Sequence, residues 1–467
     1  MLICAAVFLS VVKNMVVGFD YGSSNCAMGM MQAGKVSLIP LEQDKYYLPS
    51  SLYAQHNLLI VDYICKKLPN NDKEDFFQAR RGQLSSIPSI KRDLALDNDE
   101  AGVYFGREAI EQYISFPEDG FYVKSPKSFF GAVGLKPQQI AFFEDIATAM
   151  IMGIKAKAEQ HLGQTLAQTV IGRPVNFQAI GGDKSNQQAL TILENAAKRA
   201  GFKDVEFLFE PLAAGIDFET SLTEDKKVLV IDIGGGTTDC SFVNMGPGYR
   251  NKSERAVDFL AHSGKRIGGN DLDIAFTFNQ VMPTFGMGKQ LKSGLPMPKQ
   301  PYWQACKIND LHLQSEFYSA SNRRELVRLL KEVEDINAFQ RLIQIHDNKQ
   351  SHQLVREAEL AKIALTNEPS VNLNFDFIEP MFSQALSQTD LHDAISDSIK
   401  QIINLVDDAI KAAGSKPDVI YLTGGSAQSP ILKNALNQHL GDIKMLNGDN
   451  FGSVTAGLTK WADKIYK

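Results

Sequence analysis

At 467 residues the chain is about three times the usual domain length of roughly 150, which excludes a single small module. Apolar residues make up 44% and charged residues 22%, with 27 Phe against 18 Pro, a composition that excludes a disordered chain. The net charge of −6 is spread along the length without a dense Lys/Arg stripe, which argues against nucleic acid, and the five scattered cysteines (Cys4, Cys26, Cys65, Cys240, Cys306) lack the paired spacing of a disulfide framework or zinc site.

In chain order, the first feature is an apolar run, Leu2 to Val12, with no basic segment ahead of it and too short to span a bilayer. Residues 1–14 are therefore expected to be an N-terminal extension or a mis-assigned start, with Met15 opening the first strand; neither a membrane nor a secreted location is expected, and a reduced cytoplasm fits best. Apolar runs over Val16 to Asp20, Gln168 to Ile171, Lys227 to Asp232, Cys240 to Val243 and Val419 to Thr423 predict buried strands. Between them, Gln138 to His161 has apolar residues at helical spacing, and Asp183 to Ala200 reads as a helix with Asp183 as its N-cap. The strand and helix alternation predicts an α/β protein. From Phe276 to Val355 the pattern turns to helical stretches without a clear strand, an appended helical subdomain.

One echo spans about two hundred residues. Val17 to Ser24 and Val230 to Thr238 share a plan of apolar strand, terminal Asp, glycine turn and hydroxyl residues. Glycines let consecutive N–H groups approach phosphate oxygens, and a strand-end Asp holds a hydrated Mg²⁺ through oxygen. Two such loops predict two similar lobes offering one loop each to a ligand in the cleft between them. Neither loop has the Walker lysine spacing. A third strand-turn-helix joint, Asp418 to Pro430, offers a Gly-Gly turn suited to covering a base or ribose.

Those three segments, Gly18 to Asn25, Asp232 to Asp239 and Gly424 to Pro430, resemble in order the two phosphate loops and the adenosine loop of the seventy-kilodalton heat-shock chaperones of the DnaK type, within the actin and sugar-kinase superfamily. Phe209 to Gly215, Ile267 to Asp273 and Glu359 to Thr366 look similar to further elements of that family, so the resemblance runs from Met15 to about Leu458. It implies a two-lobed actin-like ATPase of duplicated ribonuclease-H-like domains, with lobe I over 15–226, lobe II over 227–467, a helical insertion over about 276–380 and a nucleotide cleft between the lobes. The implied ligands are ATP or ADP with Mg²⁺, and the implied partner is a protein client or co-chaperone.

Residue by residue, the resemblance implies Asp20 and Asp232 for the hydrated metal. It places Gly22, Ser23, Ser24, Asn25, Gly234, Gly235, Gly236 and Thr237 at the phosphates. Lys124 is implied at the γ-phosphate, with Lys127 three residues on as the other candidate. Glu210 and Asp239 would orient the attacking water, and Glu359, Lys362, Thr366, Gly424, Gly425 and Ser426 would form the adenosine side. Pro174 resembles the proline that couples nucleotide state to lobe rotation. The chain departs from the family pattern in having Ser125 and Ile363 where arginines stand, which implies weaker nucleotide binding. No apolar linker or peptide-binding domain is recognisable after Gly457, so the chain is most similar to a truncated bacterial member of the family. The resulting expectation is a slow ATPase acting as a nucleotide-gated switch; a small-molecule kinase with Asp239 or Asp271 as base, or an actin-like filament, are the alternatives.

Overall fold

A computed structural model describes residues 15–178, 181–252, 255–448 and 452–466. The expected extension over 1–14 and Cys4 lie outside the described residues.

Two sheets carry the fold, and they share one topology. In the first, Lys35–Ile39, Asn25–Gln32 and Met15–Tyr21 run antiparallel, and Met15–Tyr21 then pairs in parallel with Leu166–Arg173, which pairs in parallel with Asp204–Phe209. In the second, Phe259–Lys265, Thr238–Met245 and Lys226–Ile233 run antiparallel, followed in parallel by Val419–Thr423 and Met445–Asn447. The same order of directions in both sheets is the duplication that the two Asp-and-glycine loops announce: each loop leaves the C-terminal end of the middle strand. The central strands are apolar on both faces because helices cover both, as in Val228–Ile231, all fully buried. The architecture is the two-lobed actin-like α/β fold.

The long helix Pro137–Leu162 packs the first sheet with a buried run from Phe143 to Ile154, and Gly163 closes it in a left-handed conformation (φ 65°). Two helices lie between the sheets. Glu210–Glu219 and Gly452–Ile465 share one apolar cluster with both, through Leu212, Ala213, Phe218, Val454 and Leu458 against Val170, Val230 and Tyr421. This contact is close because it is made by small residues: a Cβ on Gly457 would lie 1.7 Å from Ala213 O, and one on Gly18 2.2 Å from Thr459 N. The final helix, Gly452–Ile465, thus crosses back onto the first sheet.

Three further differences have local causes. Asp183 sits in the first turn of the helix Gly182–Arg199, whose N-cap is Gly181 at φ 108°; the carboxylate there acts on the helix dipole instead of capping. The helical subdomain ends in a two-stranded hairpin, Ser370–Asn374 with Ser383–Ser387, which the sequence reading did not separate from helix. A small sheet of Ser51–Ala54, Val103–Phe105 and Phe121–Lys124 stands above the first lobe and faces the helix Ser351–Ala364 of the second.

Candidate functional site

Between the two glycine loops lies a cavity of about 310 Å³. Its walls include Asp20, Gly22, Ser23, Ser24 and Asn25 from the first loop, Asp232, Gly234, Gly235 and Thr237 from the second, and Glu210. Glu359, Lys362 and Thr366 of one helix and Gly424, Gly425 and Ser426 of the third turn complete it. The loops nearly touch: a Cβ on Gly235 would lie 1.8 Å from Ser24 Oγ, and one on Gly236 2.8 Å from Ser23 Oγ. Glycine is required at Gly424 for two reasons, a φ of +90° and the approach of Asp232 Oδ1 to 2.5 Å of its would-be Cβ. Ser426 Oγ donates to Gly234 O at 3.0 Å, tying the third turn to the second loop.

A small second cavity continues past the first loop, bounded by Lys127, Pro174, Phe177, Gly236 and Arg266 and sharing Ser23, Glu210 and Thr237 with the main one. Here the structure separates the two candidate lysines. Lys127 is almost fully buried; its ammonium donates to Gly172 O at 3.1 Å and pairs with Glu210 Oε1. Lys124 lines neither cavity. Its Nζ pairs with Glu359 Oε2 at 2.7 Å, across the roof of the cleft, from the small upper sheet to the second lobe. The three-residue offset decides this: Lys124 ends a strand, Ser125 turns the chain at φ 57°, and the following 3-10 turn, Pro126–Phe129, carries Lys127 inward. Of the two candidates expected at the phosphates, Lys127 lies beside Glu210 and Lys124 beside Glu359.

Asp239 also stands apart from the cavity walls. It pairs across the sheet with Asp232, and its Oδ1 accepts the Val175 N–H at 2.9 Å, so the second lobe is hydrogen-bonded to the turn after Pro174 in the first. Burial, and then the Glu210 charge, pushes the carboxyls of Asp20 and Asp239 up to about 7, and burial with the charges of Glu210, Asp239 and Asp20 pushes Asp232 well above the carboxylate range. Four crowded carboxyls with one contacting ammonium make a centre that favours an added cation. Among the described residues no three Asp, Glu, His or Cys side chains converge to cage a metal. A hydrated Mg²⁺, held by one or two carboxylates and its own waters, fits that donor set; a dehydrated ion does not.

The opposite end is a charge network. Lys362 pairs with Asp273 at 2.6 Å and donates to Gly269 O at 3.2 Å, while Glu359 pairs with Lys124. Burial works against ionising Glu359, yet Lys124 and Lys362 beside it hold its carboxyl down at about 2. Asp273 and Asn270, whose amide donates to Ser125 Oγ at 3.0 Å, are wall residues that sequence reasoning did not assign, although both lie in the quoted Ile267 to Asp273 segment. Gln428, within the quoted Gly424 to Pro430 segment, is a further unassigned wall residue, and Tyr47 is a wall residue with no sequence signal.

Against known proteins, the model of the Hsp70 protein family matches residues 129–291. The chain is 26% identical over 440 residues to a chaperone protein dnaK of Emiliania huxleyi, covering 91% of this chain and 56% of that protein, and 25% identical to the one of Cyanidium caldarium with the same coverage. It is 23% identical to human heat shock 70 kDa protein 13 over 467 residues, covering 95% of this chain and 87% of the relative. Over most of its length the chain is thus similar to Hsp70-type proteins. The chain spans little more than half the length of the dnaK relatives it matches. No helix among the described residues is long and apolar enough to cross a membrane.

Proposed function

We propose that the chain binds MgATP in the cleft, hydrolyses it to ADP and phosphate, and uses the bound nucleotide to hold its two lobes closed. The observation that carries this reading is the pair of equivalent strand-end loops meeting across one cavity, with the Lys127–Glu210 pair beside them. The N–H groups of Ser23 to Asn25 and of Gly235 to Thr237 would donate to phosphate oxygens, and Asp20 and Asp232 would hold the hydrated metal. Mg²⁺, when bound, supplies charge neutralisation on the β- and γ-phosphates. Lys127 takes the γ-phosphate role first expected of Lys124, because it alone of the two reaches the carboxylate centre. Glu210, with Asp239 behind it, would orient a water whose oxygen bonds to the γ-phosphorus as the bond to the ADP oxygen breaks; its proton passes to the phosphate product. Glu359, Lys362, Thr366, Gly424, Gly425 and Ser426 would hold the adenosine side.

For the kinase alternative, Asp271 accepts from Lys307, Asn309 and the Gly268 N–H and, like Asp239, lines neither cavity. The described cysteines are free and individually buried, which fits a reducing cytoplasm. A protein client or co-chaperone that senses lobe closure is the partner this switch would serve, and slow turnover suits that use. Phosphate release from ATP with and without Mg²⁺ tests the reading: Mg²⁺-dependent release lost in Asp20→Asn supports it, and ATP binding without turnover contradicts it.

A further inference from the structure

The segment Gly172–Val175 lies beside Lys127, Glu210 and Asp239. Gly172 O accepts from Lys127, and a Cβ at Gly172 would lie 3.2 Å from Glu210 Cγ; Val175 N–H donates to Asp239. Between them stands Arg173, the last residue of its strand, paired in register with Phe209, the residue immediately before Glu210. The Arg173 guanidinium lies over the Phe209 ring at 4.6 Å, and turns back to donate from Nε to Pro174 O at 3.2 Å and from Nη2 to Val175 O at 3.4 Å. Phe177 supplies a second ring at 6.0 Å. The side chain thus clasps the chain that presents Glu210 to the turn that contacts Asp239, without itself forming an ion pair with either carboxylate.

We propose that Arg173 is a positioning residue for hydrolysis: by binding the Phe209 ring on one side and the Pro174–Val175 carbonyls on the other, it fixes Glu210 and Asp239 relative to each other for water attack. The inference rests on the hydrolysis reading above. A guanidinium suits the task because its plane lies flat on a ring while its fixed in-plane fork donates from Nε and Nη2, a geometry the tetrahedral ammonium lacks. Its place also explains why the effect belongs to the chemical step. Arg173 lines neither cavity and so contributes nothing directly to holding a nucleotide, whereas Glu210 and Asp239 come from different lobes and must be brought into register for the water.

The test compares Arg173→Met, which keeps the apolar stem on Phe209, and Arg173→Lys, which keeps the charge, with the wild-type chain. Single-turnover hydrolysis should slow about ten- to a hundredfold in Arg173→Met, the scale of a catalytic group displaced by about an ångström. ADP affinity and the unfolding midpoint should stay within about twofold and about 2 °C of wild type, and Arg173→Lys should recover only part of the rate. Hydrogen exchange supplies a readout independent of turnover: peptides covering Val175 should lose protection in Arg173→Met as the Val175–Asp239 bond loosens. Unchanged hydrolysis and unchanged protection in Arg173→Met overturn the inference, as does a rate loss matched by equal losses in ADP affinity and stability. A wild-type chain that binds ATP without hydrolysing it overturns the function instead, and with it the step Arg173 would serve.

Discussion

Replacing Lys127 and Lys124 separately by alanine should produce opposite kinetic faults. The Lys127 side chain is 4% exposed and is the ammonium in contact with Glu210, so its loss removes the positive charge at the point where the γ-phosphate would gain negative charge. Loss of one preorganised donor at a developing charge costs about 2.7–4 kcal/mol, or roughly 10²–10³-fold in rate. Lys127→Ala should therefore slow single-turnover hydrolysis by that factor, while ADP, which lacks the γ-phosphate, binds within about tenfold of wild type. Lys124 is 17% exposed and its partner Glu359 21%, and Glu359 keeps Arg356 at 3.9 Å when Lys124 is gone. A part-exposed pair of this kind contributes on the order of 1 kcal/mol, so Lys124→Ala should leave hydrolysis intact and speed ADP release about three- to tenfold, by unlatching the cleft roof. Quench-flow hydrolysis and stopped-flow release of a fluorescent ADP analogue separate the two. If Lys124→Ala abolishes hydrolysis and Lys127→Ala does not, the geometric assignment of the lysines is wrong.

Three other outcomes follow from single contacts. Ile363 is 56% exposed on the cavity wall, and Ile363→Arg should add a planar cation worth about 0.5–2 kcal/mol over a base, slowing ADP release roughly two- to thirtyfold; no slowing with ADP still bound would remove Ile363 from the base site. In the closed roof His352 meets the rings of Tyr113 and Tyr122 at 5.7 and 5.0 Å, near the Lys124 ammonium, and burial followed by that charge pushes its imidazole down to about 3. A depressed imidazole stabilises closure above its ordinary value near 6.5 and loses that stabilisation as pH falls below it, so ADP release should be about tenfold faster at roughly pH 5.5 than at 7.5, and His352→Phe should flatten the dependence; an equally steep profile in that variant would contradict the assignment. Gly457→Ala should cost about 1–3 kcal/mol in denaturant unfolding because its Cβ would meet backbone of Ala213, and an unchanged midpoint would mean the two central helices are not held at this distance.

The sheets and loops were legible because each depends on local chemistry. Middle strands such as Lys226–Ile233 carry a continuous apolar run, here Val228 to Ile231, and the Asp-Gly-hydroxyl plan recurs where each middle strand ends. Val419–Thr423 and the Pro430–Leu440 helix begin and end as their Gly and Pro punctuation indicates. What was not legible depends on where a side chain points after a turn. Lys124 and Lys127 share a short segment, and only the positive φ of Ser125 sends one to the roof and the other to the centre. Arg173 gave no signal because its partners, Phe209 and the carbonyls of Pro174 and Val175, are neutral groups brought together by strand pairing. The final helix, from Gly452, fits backbone of another helix through small residues, and that fit has no periodicity to read.

The central claim is that this cleft hydrolyses ATP through Glu210. A single-turnover experiment with γ-labelled ATP, comparing the wild-type chain and Glu210→Gln at matched nucleotide occupancy, tests it most directly. The account predicts Mg²⁺-dependent release of labelled phosphate by the wild type, slowed at least about a hundredfold by Glu210→Gln with ATP still bound. Equal rates in the two chains, or bound ATP that stays intact in both, would contradict it.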